Sequence, residues 1–357
     1  MEQRPRPALP NLTSLRFFAA LLVFLHHMRT DYPTPHWAWY RAVLNAGFTG
    51  VSLFFVLSGF ILAYNYPQVT QRGRFYLSRF ARVYPLYLFA LLWGAIFAWH
   101  QIGHRATAIA GAADVLLLQT WFPRIMLQIN NPGWTLSVEA FFYALFPFLI
   151  TPLSRVRRTW LAVVLLWLLA IAPGIVLHLF ASQGTASSLQ PWLYLPPFRL
   201  CEFLIGMLTG IAFRRSTPAP GVVAVAVSAA LCLAALLSQP LWPDASFRSG
   251  VVALPFALLI YCLAGYRGRL LAWAPLQIAG ESSYALYIVQ FPFFATVALI
   301  LRLLHRQAWS PAVVVLLFPL SYVLYRMVEV PSRNAILNRF GVRHRNKPLP
   351  TADPALP

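Results

Sequence analysis

The sequence predicts an all-α fold: a polytopic membrane helical bundle of about ten transmembrane helices, with a re-entrant or interfacial segment near 109–133. Three observations carry this. The 357 residues are 59% hydrophobic and only 10% charged, whereas a soluble domain carries about 25% charged residues. Apolar runs of about 20 residues recur along the chain, each long enough to cross a hydrocarbon core as a helix. The basic residues lie in short clusters between those runs, the pattern of the positive-inside rule.

The apolar segments fall at roughly 12–28, 47–66, 83–99, 109–121, 134–153, 160–180, 192–213, 220–239, 249–265, 282–301 and 310–328. The segment 109–121 is short and contains Asp114, and charge placement decides whether it spans. The basic clusters are Arg4/Arg6, Arg72/Arg74/Arg79/Arg82, Arg155/Arg157/Arg158, Arg214/Arg215, Arg267/Arg269 and the stretch from Arg333 to Lys347. A spanning 109–121 puts the Arg72 and Arg155 clusters on opposite sides. A non-spanning one puts every cluster on one side, with both termini cytoplasmic. The second arrangement is expected. Irregular backbone at membrane depth must then be buried in protein or line a cavity.

One domain is expected, a transmembrane unit over 11–333. It follows a cytoplasmic N-terminal tail, 1–10, and precedes a basic, Pro-rich and disordered cytoplasmic tail, 334–357. The start MEQRPRPALP is not followed by a small-residue cleavage site, so the first apolar run is expected to be retained. The net charge of +19, from 28 Lys+Arg against 9 Asp+Glu, points to anionic lipid headgroups rather than nucleic acid, because the charge is dispersed between apolar runs. Cys201, Cys232 and Cys262 stand singly in apolar runs, without metal-ligand spacing.

Few acids remain near the membrane: Asp114, Glu139, Glu202, Glu281 and Glu329 lie in or at the ends of apolar segments. An intramembrane charge costs several kcal/mol unless paired or wet, which makes it a functional candidate by default. In the first segment, LTSLRFFAALLVFLHHM, Arg16 and His27 are eleven residues apart. Steps of about 100° bring them onto nearly one helix face, ~16 Å apart along the axis, while His26 is rotated off it. Either they line one cavity, or Arg16 snorkels to headgroups and the histidines cap the span. Arg79 and Arg82, at i, i+3 in FYLSRFARVYP, face the same way; two forked guanidiniums suit a phosphate or diphosphate, or serve as an ordinary anchor. Glu139 lies under two turns beyond the break at Pro132–Gly133, either as a carboxylate that orients a histidine or as a structural partner of an arginine. Ser282 or Ser283 is expected to cap the helix that follows. A G-x-S-x-G elbow and a phosphate-binding P-loop are both absent.

Taken in order, several pieces resemble membrane-bound acyltransferase family 3, the O-acyltransferases of surface glycans and some antibiotics. They are Arg16 with His27, GVSLFFVLSGF at 50–60, Arg79-x-x-Arg82 before Tyr84-Pro85, WTLSVE at 134–139, FRLCEFLIGM at 198–207, GESSYALYIVQ at 280–290, and Arg326-x-x-Glu329-x-Pro331. The resemblance covers about 11–333 of the chain. It implies a ten-span core in the cell (inner) membrane that takes an acyl group, commonly acetyl, from acyl-CoA at the cytoplasmic face, with no metal. It makes His27 the leading catalytic residue and Arg79/Arg82 the leading donor-binding pair, with Glu139 joining the first and Arg16 the second. Many members carry a histidine where this chain has Gln290, so no proton transfer is assigned there.

The expected function is O-acylation of a sugar hydroxyl in a surface or exported glycan, with acyl-CoA and a glycan or lipid-linked sugar as partners. Glu139 is expected to orient His27, and the pantetheine arm to run along the Arg16–His27 face. The alternatives are O-acylation of a small natural product such as a macrolide, or a secondary transporter, which should show matching broken helices in two inverted halves.

Overall fold

A computed structural model of the chain describes residues 7–28, 37–180, 193–268, 271–305 and 315–341. These residues form helices and no strand. The helices are α1 (Pro10–Met28), α2 (Ala38–Asn45), α3 (Gly50–Asn65), α4 (Arg72–Ile102), α5 (His104–Val115), α6 (Trp134–Leu153), α7 (Thr159–Phe180), α8 (Pro196–Ser216), α9 (Val222–Leu237), α10 (Ala253–Gly265), α11 (Ala274–Glu281), α12 (Ser283–Leu303), α13 (Leu317–Leu324) and α14 (Val330–Arg339). Short π-helical turns lead into α10 at Phe247–Val251 and join α13 to α14 at Tyr325–Glu329.

Among the described residues, 6 helices are long and apolar enough to cross a membrane, beginning at Trp39, Arg72, Asn131, Thr159, Pro196 and Ser283. The apolar helices α9 and α10 are shorter, and α1 carries Arg16, His26 and His27 within its 19 residues. The first part of the segment 310–328 and most of the expected C-terminal tail lie outside the described residues. Helix α14 continues to Arg339, so the expected domain boundary at 333 falls inside a helix.

Hydrogen bonds between helix ends gather the basic clusters at one end of the bundle. Asn11 near the start of α1 donates to the Leu263 and Tyr266 carbonyls at the end of α10. The Tyr64 hydroxyl at the end of α3 donates to Pro7. Arg214 at the end of α8 donates to Ala63, and Arg215 to Ser154 and Val156 after α6. The Arg72 guanidinium, at the start of α4, lies over the Phe148 ring. An α4 of 31 residues is about 46 Å long, exceeding a hydrocarbon core of about 30 Å, so its Arg-rich first turns extend beyond the core.

The segment after α4 turns back into the bundle. Gly103 (φ 81°) reverses the chain, and α5 descends beside α4 until the Tyr84 and Tyr87 hydroxyls donate to the carbonyls of Val115 (3.0 Å) and Asp114 (2.8 Å). The chain then returns. Ser137 donates to Leu117 (2.6 Å), and Gln119 donates to Gly133 (2.9 Å). Non-helical carbonyls at this depth need protein donors because lipid offers none. One further bond has a clear cause: Pro292, inside α12, has no N–H to give the Ile288 carbonyl four residues back, and Asn130 Nδ2 supplies a hydrogen bond there at 3.0 Å.

The core is closed by tight helix contacts. A methyl group at Gly59 of α3 would collide with the Phe203 carbonyl of α8, and one at Gly206 of α8 with the Val56 carbonyl of α3. Small residues let backbones approach in lipid, where van der Waals packing replaces the hydrophobic effect as the force between helices. Glu202, fully buried, pairs with Arg199 one turn earlier on α8 at 2.9 Å. Arg199 also donates to Ser52 and to the Arg248 carbonyl. This places the pair at the far end of α3, away from the basic end.

Candidate active site

Besides the Arg199–Glu202 pair, two polar groups lie inside the bundle among the described residues, and helix register decides how far apart they are. The first lies toward the basic end. Arg16 on α1 is within electrostatic reach of Arg82 on α4, Glu139 on α6 and Glu329 in the π-turn before α14. The Glu139 carboxylate lies near the Tyr143 and Ser58 hydroxyls and within electrostatic reach of Arg82 and Arg16. Tyr143 in turn faces Arg79 and Arg82. Arg79 also packs over the Tyr66 ring, 5.7 Å from its centroid. No guanidinium of Arg16, Arg79 or Arg82 comes within 4.0 Å of Glu139 or Glu329. Arginines from two helices thus converge near two carboxylates without closing onto them.

The second group surrounds His27, in the last turn of α1. Its Nδ1 lies 3.1 Å from Gln290 Oε1 on α12, and its ring meets the Phe291 ring edge-on at 5.2 Å. The neighbouring His26 is 8% exposed, and its Nδ1 lies 2.8 Å from the Leu44 carbonyl of α2. The two histidines therefore hold different elements, as the rotation of His26 off the Arg16 face requires.

Of the site residues expected from sequence, Arg16, Arg79, Arg82 and Glu139 come together, and His27 stands apart from them. No hydrogen bond joins Glu139 to His27 in this structure. The neighbour of Glu139, Ser58, lies eight residues into α3 from Gly50, ~12 Å of helix, and Gly47, beside Leu22 and His26, precedes that helix. Gln290 occupies the position beside Nδ1 that was expected of Glu139. The face joining Arg16 to His27 is also filled. Ala19, Ala20, Val23 and Phe24 lie on it and are 0–3% exposed, so this structure holds no open channel for a pantetheine arm along it. Glu329, one of the five acids near the membrane and part of the Arg326-x-x-Glu329-x-Pro331 motif, joins the first group through Arg82 and Arg16. Ser282 and Ser283 do not cap α12: their hydroxyls donate backward, to Ile278 and Gly280. Among the described residues there is no group of three or more His, Cys, Asp or Glu that could hold a metal ion.

A profile of the acyltransferase domain matches residues 9–326, nearly the whole bundle, including both polar groups except Glu329. The chain belongs to acyltransferase family 3. It is 30% identical to acyltransferase MdmB of Streptomyces mycarofaciens, with 97% of this chain and 96% of that protein aligned. It is 25% identical to the putative peptidoglycan O-acetyltransferase YrhL of Bacillus subtilis and 22% identical to the peptidoglycan O-acetyltransferase OatA of Listeria monocytogenes. Those alignments take in 95% and 96% of this chain but only 57% and 58% of the relatives, so the chain spans little more than half their length. No solved structure matches it. The chain is a membrane acyltransferase, and its relatives include O-acetyltransferases.

Proposed function

We propose that this acyltransferase moves an acyl group, acetyl first among them, from acyl-CoA to a sugar hydroxyl of a surface or exported glycan. It would sit in the cell (inner) membrane with both termini and the basic end cytoplasmic. The observation that carries the reading is the convergence of Arg16, Arg79 and Arg82, unclosed by their carboxylate neighbours, at one end of the face that leads to His27. Forked guanidiniums suit the donor's phosphates. Glu139 and Tyr143 then serve the arginines rather than the histidine.

In this reading the arm of the donor parts the packed seam at Ala19, Ala20, Val23 and Phe24 and brings the thioester to His27. His27 accepts the proton of the acceptor hydroxyl as its oxygen bonds to the thioester carbonyl carbon. The carbon–sulfur bond breaks, and the proton passes from His27 to the departing thiolate. An ester and a free coenzyme thiol result, with no redox change and no acyl-enzyme.

His27→Ala, at wild-type abundance in the membrane, should abolish acylation; unchanged product would sink the assignment. Replacing Arg79 and Arg82 together with Gln should raise donor KM more than it lowers kcat, and the reverse would argue against a phosphate role. The peptidoglycan acceptor named for the longer relatives is not carried over. Mass analysis of surface glycans with and without the protein identifies the acceptor, and an acylated small natural product such as a macrolide in place of a glycan would overturn the glycan part of the reading.

A further inference from the structure

We infer that Gln290 is a positioning residue that holds His27 in a single tautomer, with Nδ1 protonated and the lone pair on Nε2; this rests on the reading of His27 as the general base. The Gln290 amide is fully buried. One of its terminal atoms lies 2.9 Å from the Tyr287 carbonyl oxygen, and the other lies 3.1 Å from His27 Nδ1. A backbone carbonyl only accepts, so the atom facing Tyr287 must be the amide nitrogen. The reversed amide would set two oxygens against each other with no water to separate them. The atom facing His27 is therefore Oε1, an acceptor with no proton to give, and Nδ1 must be the donor. In the neutral imidazole the second nitrogen then carries the lone pair.

The anchor is itself braced. The Tyr287 hydroxyl donates to the Pro132 carbonyl at 3.2 Å, and Asn130 binds the Ile288 carbonyl that Pro292 leaves without an N–H. The returning arm of the 104–133 hairpin thus fixes the stretch of α12 that presents Gln290. The ring also meets Phe291, edge-on, and the ring of His26, whose centroid is 5.7 Å away. A base whose lone pair alternates between two nitrogens is in the wrong state for part of the time, and a fixed acceptor on one nitrogen prevents that.

The test compares near-isosteric replacements. Gln290→Leu keeps the volume and suits an apolar interior, but offers no acceptor. It should lower kcat by about 100-fold, the scale of a general-base contribution, with donor KM within about 2-fold. Gln290→Glu keeps an acceptor at a cost in burial, and should be the more active of the two. A purely structural role predicts the opposite order, because the leucine packs better. If Gln290→Leu does not accumulate in the membrane, Gln290→Met takes its place. Wild-type kcat in the leucine or methionine variant, or more activity there than in Gln290→Glu, overturns the inference. Nitrogen NMR of isotope-labelled histidine, read as the difference between wild type and His27→Asn, should show Nδ1 protonated, and a bare Nδ1 overturns it as well. A normal Gln290→Leu variant beside an inactive His27→Ala variant refutes this inference alone, whereas an active His27→Ala refutes the base reading first.

Discussion

Glu329 is 5% exposed, and its Oε2 has no hydrogen-bond partner, yet it faces Arg82, Arg16 and Arg333. An uncompensated buried carboxylate is costly, so its retention calls for a reason. It lies in the π-turn Tyr325–Glu329, a distortion common at functional sites. The carboxylate draws on the guanidiniums assigned to the donor and competes with any phosphate that approaches them. Glu329→Gln keeps the shape and removes the competition, so donor KM should fall by about 5-fold, the effect of roughly 1 kcal/mol of screened Coulomb energy. Kinetics at several donor concentrations check this, and a raised KM would mean that Glu329 holds the arginines in place instead. The pairing of Arg16 with His27 on one helix face was legible in the sequence, because both stand on one element whose period is known. The partner of His27 was not: Gln290 is 263 residues away, and sequence does not give the relative depth of residues on different helices. The same gap explains why Glu139 was matched with His27 rather than with the arginines.

At the scale of the element, the re-entrant hairpin and the α3–α8 seam make contrasting predictions. The Tyr87 hydroxyl donates to the Asp114 carbonyl and accepts from Gln119 Nε2 at 3.2 Å. Tyr87→Phe removes both bonds while keeping the ring, leaving a buried carbonyl without that donor at a cost of about 1–3 kcal/mol. The melting temperature in detergent should drop, with activity retained at low temperature. An unchanged melting temperature would mean that another donor takes over. At the seam the obstacle is volume. Gly206→Leu meets α3 backbone and should prevent accumulation of the protein, whereas Gly73→Ala, with nothing within 4 Å of the new methyl, should be neutral. Comparing membrane abundance of the two variants tests the seam. Element boundaries were largely legible: the apolar run 134–153 is α6, from Trp134 to Leu153. The failure of 109–121 to continue as a span was legible from charge alone. What the sequence could not supply was the set of donors, Tyr84, Tyr87, Gln119 and Ser137, that makes a broken backbone tolerable there, since they come partly from other helices.

For the whole molecule, the decisive quantity is the asymmetry of charge between its two ends. Arg72, Arg155, Arg214 and Arg215 lie at helix ends that hydrogen bonds and ring contacts tie together, and Arg267 follows α10 at the same end. The proposed orientation, which follows the positive-inside rule, puts that end in the cytoplasm. The arrangement depends on the hairpin 104–133 turning back: if it crossed, everything from α6 onward would invert relative to α1–α4. Single cysteines in a background lacking Cys201, Cys232 and Cys262 read this directly. Arg105, at the start of α5, and Ala219, between α8 and α9, are both exposed. A membrane-impermeant thiol reagent should label Arg105→Cys in intact cells and Ala219→Cys only after the membrane is opened. Labelling at both positions in intact cells would mean that the segment between them crosses once more than the hydrogen-bonded hairpin allows. It would also move Gln290 and the basic ends of α6, α8 and α10 out of register with Arg16, Arg79 and Arg82, and the proposed donor site would lose its single proposed cytoplasmic mouth.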